Sequence, residues 1–363
     1  MASVVSYETK TQGKLWMVRY RTPDRVQTMQ RGFKTKRDAL LWLSNMEVAK
    51  SRGEYIGNAA GKIGFAEWAE VWFDAQVHLK PTTRSNYRQC LDKHVIARWG
   101  ERQIGSITHG EVQAWIKLLA QTMTPSSLRI QYQTLSAVLK HAVRDGRLVK
   151  NACDGVKLPK IVKRKHGYLT HEQVAALAEE CKDYGDVVLF LSYTGLRYGE
   201  MAALRVGRLN MLRRRIDVAE AVADVRGTLE WGTPKSHEAR SVPFPKFLAE
   251  SLARRCDGKG RDDLVFTGAR GSVLRGNNFR KRVFNDAVEK LIDADPDFPL
   301  ITPHDLRHTA ASLAISAHAN VKSIQRMLGH ADAAMTLNTY ADLFEDDLDA
   351  VADALDAAYK KIL

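Results

Sequence analysis

The sequence predicts a multidomain chain, built from a small β-rich α+β unit, an all-α four-helix unit and a larger mixed α+β unit that is mainly α. Three observations predict it. The chain has 363 residues, of which 45% are hydrophobic, so it holds apolar material for two or three packed cores rather than one. Its apolar residues alternate near the N-terminus and take helical spacing from Phe65 onward. Two stretches follow neither pattern: 53–64, with Gly57, Gly61 and two alanines, and 155–165, with Pro159 among lysines. They place the units at 1–60, 65–158 and 166–363.

In the first unit Lys14 to Arg21 alternates, with Trp16, Val18 and Tyr20 on one face and Arg19 and Arg21 on the other. Pro23-Asp24 signals a turn, and Arg25 to Arg31 is a second alternating run. Thr35 stands three residues before Asp38, a capping pattern that opens a helix through Leu40, Leu43 and Met46. Two or three strands and one helix make a minimal fold. Its face with Arg19, Arg21, Arg25 and Arg31 either enters a DNA groove or is a solvated basic surface.

The second unit is helical throughout. Phe65 to Gln76 carries Trp68, Trp72 and Phe73, and Pro81 opens a helix through Tyr87, Leu91 and Val95. Thr108 and Glu111 cap a third helix through Trp115 and Leu119, and Ser126 to Val143 forms a fourth. Basic residues interleave with these apolar positions, Lys80 and Arg84 among them. The linker that follows carries Lys163 and Arg164 and is either simply solvated or crosses a phosphate backbone.

In the third unit Thr170 and Gln173 form a capping box for a helix through Leu177. Arg215 to Val218 reads as a strand, Leu229 to Val242 as a hairpin turning at Gly232-Thr233-Pro234, and helices return from Asn277.

Charge narrows the partners. The formal net charge of +13 favours a polyanion, nucleic acid ahead of an acidic membrane surface. Cys90, Cys153, Cys181 and Cys256 lie far apart without a CxxC pair, so they read as reduced, buried thiols and not as metal ligands. The N-terminus lacks an apolar signal core and no run reaches bilayer length, so a cytoplasmic protein is expected.

Five polar segments of the third unit carry candidate chemistry. Gly195 precedes Arg197, so a turn delivers a guanidinium onto a helix start, a good anion site; the plain alternative is a surface pair with Glu200. In Thr302-Pro303-His304-Asp305-Leu306-Arg307-His308 the threonine suits an N-cap and the proline the first helical position. His304 and Arg307 then share a helical face. His304 and His308 have the spacing of metal ligands, but an arginine on that face repels a cation and the zinc-protease glutamate is missing. Gly329 ends a helix begun near Val321 and sets His330 just past it. Lys235 sits beside Pro234 at an expected hairpin tip, where most lysines face solvent. Tyr340 by default is a core or amphipathic tyrosine.

Taken together, Arg197, Lys235, His304 with Arg307, His330 and Tyr340 occur in an order and at intervals that resemble the signature of the tyrosine recombinase (phage integrase) family. The wording from Leu328 to Phe344 is most similar to integrases of actinobacterial phages and mobile elements. One departure is visible: the interval from His330 to Tyr340 is a residue longer than is usual in the family. The resemblance implies a catalytic domain over 166–363, a core-binding domain over 65–158 and a small three-stranded arm-type DNA-binding domain over 1–60. It implies Tyr340 as the nucleophile that leaves a 3′-phosphotyrosyl bond and a free 5′-hydroxyl. Arg197 and Arg307 would hold the non-bridging oxygens and His330 would bond the phosphate. Lys235 would be the acid to the 5′-oxygen, and His304 would assist proton transfer at the tyrosine. Glu200 would brace the arginines.

No cofactor and no metal are implied, since two arginines carry the charge work. The implied partners are double-stranded DNA attachment sites of core and arm types, three further copies in a homotetramer on DNA, a host DNA-bending protein and an excisionase, with no membrane. The stretch after Tyr340 begins acidic and continues with Val351, Leu355 and Tyr359 at helical spacing; the resemblance implies that it docks on a neighbouring protomer. The alternatives with the same fold are a resolvase, a nicking-closing enzyme, or a DNA-binding regulator whose site has decayed.

Overall fold

The structure is a computed structural model that describes residues 2–9, 11–22, 26–51, 60–162, 167–234, 239–268, 271–343, 355–356 and 359–360. It divides into two compact units, 1–163 and 164–363. Arg25, Lys163, Arg164, Lys235, Val351 and the acidic start of the tail lie outside the described residues.

The first unit opens with β1 (Ser3–Thr9), β2 (Gly13–Arg21) and β3 (Gln27–Phe33), an antiparallel sheet in that order, followed by α1 (Lys36–Ser51). The alternation in β2 does what its period requires. Val18 and Tyr20 are buried with Ala39 and Met46 of α1, and Tyr20 meets the edge of Trp42 at a centroid distance of 5.2 Å. Arg19 and Arg21 are exposed on the other face. Arg19 pairs with Met29 across the sheet, and Arg31 Nε lies 3.1 Å from the sulfur of Met29, so the three arginines share that face. The face is not wholly basic, because Leu15 and Met17 on it are also buried. The start of α1 follows its cap: the Asp38 N–H donates to Thr35 Oγ1 at 3.1 Å.

The helical part of this unit comprises α2 (Phe65–Asp74), α3 (Pro81–Cys90), α4 (Ile96–Trp99), α5 (His109–Leu119) and α6 (Pro125–Arg144). The helix expected through Val95 is continuous from Pro81 to Trp99, with a π-helical turn, Leu91–Val95, between α3 and α4 that keeps both its end residues fully buried. Trp68, Trp72, Trp99 and Trp115 fill one core, with Trp99 edge-on to Trp115 at 5.8 Å. Burying a large apolar side chain contributes on the order of 1.5–3 kcal/mol, and these rings share the core with aliphatic residues such as Leu128, Leu135 and Val138. The capping box of α5 is complete: Glu111 N–H donates to Thr108 Oγ1 at 3.3 Å, and Thr108 N–H to Glu111 Oε2 at 3.0 Å.

The second unit runs α7 (His171–Glu180), α8 (Gly185–Thr194), α9 (Tyr198–Ala202), β4 (Leu209–Asn210), β5 (Arg215–Val218), β6 (Ala221–Val225), β7 (Thr228–Gly232), β8 (Arg240–Pro243), α10 (Leu248–Cys256), α11 (Gly276–Phe279), α12 (Asn285–Ala294), α13 (Asp305–Ser316), α14 (Val321–Leu328) and α15 (Ala333–Tyr340). Its main core gathers around α8, whose Val187, Val188, Phe190 and Leu191 are buried together with Leu306 and Leu313 of α13. Burial on every side explains why α8 reads as an apolar run rather than a stripe. A smaller cluster of Ala311, Ile315, Ile324, Leu328 and Tyr340 joins α13, α14 and α15.

The hairpin differs from the sequence expectation. β7 pairs with β6, and the turn falls at Arg226-Gly227; β8 instead joins β5 and β4 in a separate sheet. Both turn residues have positive φ, 54° and 89°, as a two-residue hairpin loop demands, and the Gly227 N–H donates to Asp224 Oδ1 at 2.8 Å. Gly232-Thr233-Pro234 ends β7 rather than turning it. The start of α13 also differs. Thr302 and Pro303 stand before the helix, and Asp305 reaches back, accepting from Thr302 N–H at 2.7 Å and from its hydroxyl at 2.8 Å.

Candidate active site

Two left-handed turns aim the polar residues of the second unit at one another. Gly195 ends α8 at φ 64°, and the chain then extends through Arg197, which caps α9. Gly329 ends α14 at φ 66° and puts His330 directly after it. Arg307 ties the two turns together. Its side chain is buried, and it donates from Nη1 to the carbonyl of Gly195 and from Nη2 to that of Leu328, each at 2.5 Å. Burial and the neighbouring Arg197 push the Arg307 guanidinium down to about 9, which leaves it cationic at neutral pH.

Glu200 is not the surface partner that an isolated reading of its segment offers. Its side chain is 1% exposed and shared by two arginines: Arg197 Nη1 donates to Oε1 at 2.9 Å, and Arg240 donates to Oε1 at 3.1 Å and to Oε2 at 2.6 Å. Burial alone would raise the Glu200 pKa, but the Arg240 hydrogen bonds and charge, with help from Arg197, hold the carboxyl below the usual range. Arg240 also donates from Nε to the Met327 carbonyl at 3.2 Å. Sequence reasoning missed Arg240, a lone arginine in a four-residue strand. Nothing in its short segment marks it, because the pairing with Glu200 forms only when β8 packs beside α9 and α14.

His330 Nδ1 lies 2.9 Å from Thr336 Oγ1, and Gln325 donates to the His330 carbonyl at 3.0 Å. Burial and the charges of Arg307, Arg197 and Arg240 push the imidazole down to about 4, so it is neutral at pH 7. Tyr340, the last residue of α15, is fully buried, with its ring 6.3 Å from that of Tyr168. Burial lifts its phenol to about 12, against the pull of Arg307. The hydroxyl meets His308 Nδ1 at 2.9 Å. His304 is exposed at the start of α13, with its ring edge-on to His308 at 5.4 Å, and it lines a cleft with Tyr198, Asp224, Arg275 and Arg280.

Arg197, Arg307, His330 and Tyr340 are thus brought into one electrostatically coupled site, with His304 at its rim. Among the described residues, the guanidiniums of Arg197, Arg240 and Arg307 outnumber the Glu200 and Asp332 carboxylates, which leaves a net positive site that suits a phosphodiester. In the first unit Lys80 is exposed just before α3, whereas Arg84 turns back on its own fold, 3.7 Å from Asp74 and over the ring of Phe73 at 4.4 Å. Cys153 and Cys181 are buried thiols pushed up to about 12 and are inert.

The fold and this site define a tyrosine recombinase, an enzyme that cleaves and rejoins DNA strands. A phage integrase family domain matches residues 167–346, preceded by a phage integrase N-terminal SAM-like domain over 64–120 and an arm DNA-binding domain over 5–50. The chain belongs to the phage integrase family and is a site-specific recombinase of the phage and transposon integrase type. It is 26% identical over 325 residues to the ICEBs1 integrase of Bacillus subtilis, covering 85% of this chain and 88% of the relative. It is 25% identical over 306 residues to the integrase of Mycobacterium phage L5, covering 82% and 80%. Among solved structures, the Tn1549 transposon integrase in complex with transposon right end DNA aligns with a TM-score of 0.68 at 20% identity, over 80% of this chain and all of that one. A lambda integrase tetramer bound to a Holliday junction aligns at 0.59 and 15% identity, over 90% and 96%.

Proposed function

We propose that this integrase inserts and excises phage or mobile-element DNA through attack of Tyr340 on a DNA phosphate. The attack forms a 3′-phosphotyrosyl bond and frees a 5′-hydroxyl, and the ester keeps the energy needed for rejoining without ATP. Arg197 and Arg307 bind the non-bridging oxygens, where loss of one fixed donor costs about 10²–10³ in rate. Neutral His330 donates to the same phosphate, Lys235 protonates the leaving 5′-oxygen, and Glu200 holds Arg197 in place. The observation that carries this reading is the Arg307 bridge, which sets the Arg197 turn, the His330 turn and α13 around the buried Tyr340.

The remaining assignments follow from kinship. Residues 1–60 read arm-type sites, with Arg19, Arg21, Arg25 and Arg31 as the contacting residues. Residues 65–158, with Lys80, and the linker with Lys163 and Arg164 hold the core site, while Arg84 braces its own unit against Asp74 and Phe73. Residues 166–363 cut it. Four copies act together on DNA and pass through a Holliday junction, with a host DNA-bending protein and an excisionase as partners. The setting is the bacterial cytoplasm; no helix among the described residues is long and apolar enough to cross a membrane.

The test is covalent trapping in EDTA on a nicked duplex that carries the genuine core site, labelled at either end. The wild type is expected to leave a denaturation-resistant adduct on the 3′-phosphate side that Tyr340→Phe lacks. Binding without any adduct would turn the reading towards a decayed regulator. Loss of the adduct in EDTA alone would return a metal to the mechanism.

A further inference from the structure

A phenol lifted to about 12 by burial is a poor nucleophile until its proton has somewhere to go. Around Tyr340 stand the Arg307 guanidinium, which is already protonated, the Tyr168 phenol, which is a weaker acceptor than imidazole, and His308. Among the described residues, His308 Nδ1 is the acceptor placed at hydrogen-bond distance from the attacking oxygen, 2.9 Å. His304 and His308 are one helical turn apart on α13, and the exposed ring of His304 faces the edge of His308 rather than intervening between it and Tyr340.

We propose that His308, rather than His304, is the catalytic residue that takes the Tyr340 proton during cleavage and returns it during rejoining. This rests on the reading of Tyr340 as nucleophile. In the forward step the Tyr340 Oη–phosphorus bond forms and the phosphorus–O5′ bond breaks. The phenol proton passes to His308 Nδ1, in the tautomer with hydrogen on Nε2, and the 5′-oxygen leaves with a proton from the acid on its own side. In the reverse step the 5′-hydroxyl attacks, the phosphotyrosyl bond breaks, and His308 gives the proton back to the phenolate. Half-buried, His308 keeps a fixed aim at the phenol.

The experiment measures adduct formation by the full-length protein on the nicked core-site duplex for wild type, His308→Ala, His308→Asn and Tyr340→Phe, with DNA binding and melting temperature followed in parallel. An asparagine keeps a hydrogen-bonding group near the Nδ1 position but cannot accept a proton, so both His308 variants are expected to slow by about 10²–10³. Added imidazole is expected to speed His308→Ala by about tenfold and to leave wild type unchanged. A 5′-bridging phosphorothiolate, whose leaving sulfur needs no acid, should leave the His308→Ala defect in place.

The proposal is overturned if His308→Asn cleaves at the wild-type rate, or if folded His308→Ala does so or ignores imidazole. It is also overturned if the phosphorothiolate restores His308→Ala, which would move the histidine to the leaving group. An adduct in Tyr340→Phe would instead remove Tyr340 as the nucleophile, a separate failure with its own signature.

Discussion

Arg240 touches no proposed reacting atom, yet it holds the site at three points: both oxygens of Glu200, the Met327 carbonyl, and the space above Gly329. A buried pair of this kind adds little over an apolar replacement, but removing one partner strands the other. Arg240→Met is therefore expected to cost about 3–5 kcal/mol of stability in the catalytic unit, read as a lowered unfolding midpoint. Arg197 remains on Glu200 and softens the loss. Pairing the change with Glu200→Gln should recover part of it, because the stranded charge goes with it; a double variant as unstable as the sum of the two singles would mean that the pair is not coupled. The neighbouring charges act on function as well. Burial first, and then the charges of Arg307, Arg197 and Arg240, keep His330 neutral, so the residue that sequence reasoning overlooked helps set the protonation of one that it found.

Among the elements, the two glycine stops are where local sequence decides the site. At Gly329 the left-handed φ of 66° is coupled to crowding, since a Cβ there would stand 2.9 Å from Arg240 Cδ and Nε. Gly329→Ala is expected to cost about 1 kcal/mol from the backbone alone and more from displacing Arg240, with cleavage falling further than DNA binding. Equal losses in both assays would place the damage outside the site. These stops were legible because glycine at the end of a helical run has one common meaning, and so were the Thr108 and Thr170 caps, which rest on residues three apart. The hairpin was not. Gly232 and Pro234 are the louder turn signals, while the actual loop uses Arg226, which bears a positive φ that its side chain disfavours and that Asp224 helps to fix through the Gly227 N–H. Nor could spacing tell His304 from His308. They share a face, and only the position of α15 decides which one meets Tyr340.

On the scale of the whole molecule, charge and burial divide the work. The formal charge of +13 is spread along the chain, so binding to any duplex should weaken steeply with salt as counterions are released. Affinity for the core-site duplex measured between about 50 and 200 mM salt is expected to fall by about 10³–10⁵ if six to ten phosphates are held. A flat response would remove the phosphate reading. The covalent step should depend on salt far less once the complex is saturated, because the Glu200 carboxylate and the Arg307 guanidinium are buried and poorly screened.

The Arg307 bridge has an evolutionary consequence. Its two carbonyl partners would each be left unsatisfied without it, at about 1–3 kcal/mol apiece, so the residue is a strut of the fold as much as a tool of the reaction. Tyr340 is different: phenylalanine keeps its ring in the cluster of α13, α14 and α15 and forfeits only the hydroxyl. A lineage released from recombination but still selected to grip DNA would shed that hydroxyl early and carry the arginine long afterwards. In such descendants an intact Arg307 records ancestry, and the residue at position 340 records whether the enzyme still cuts.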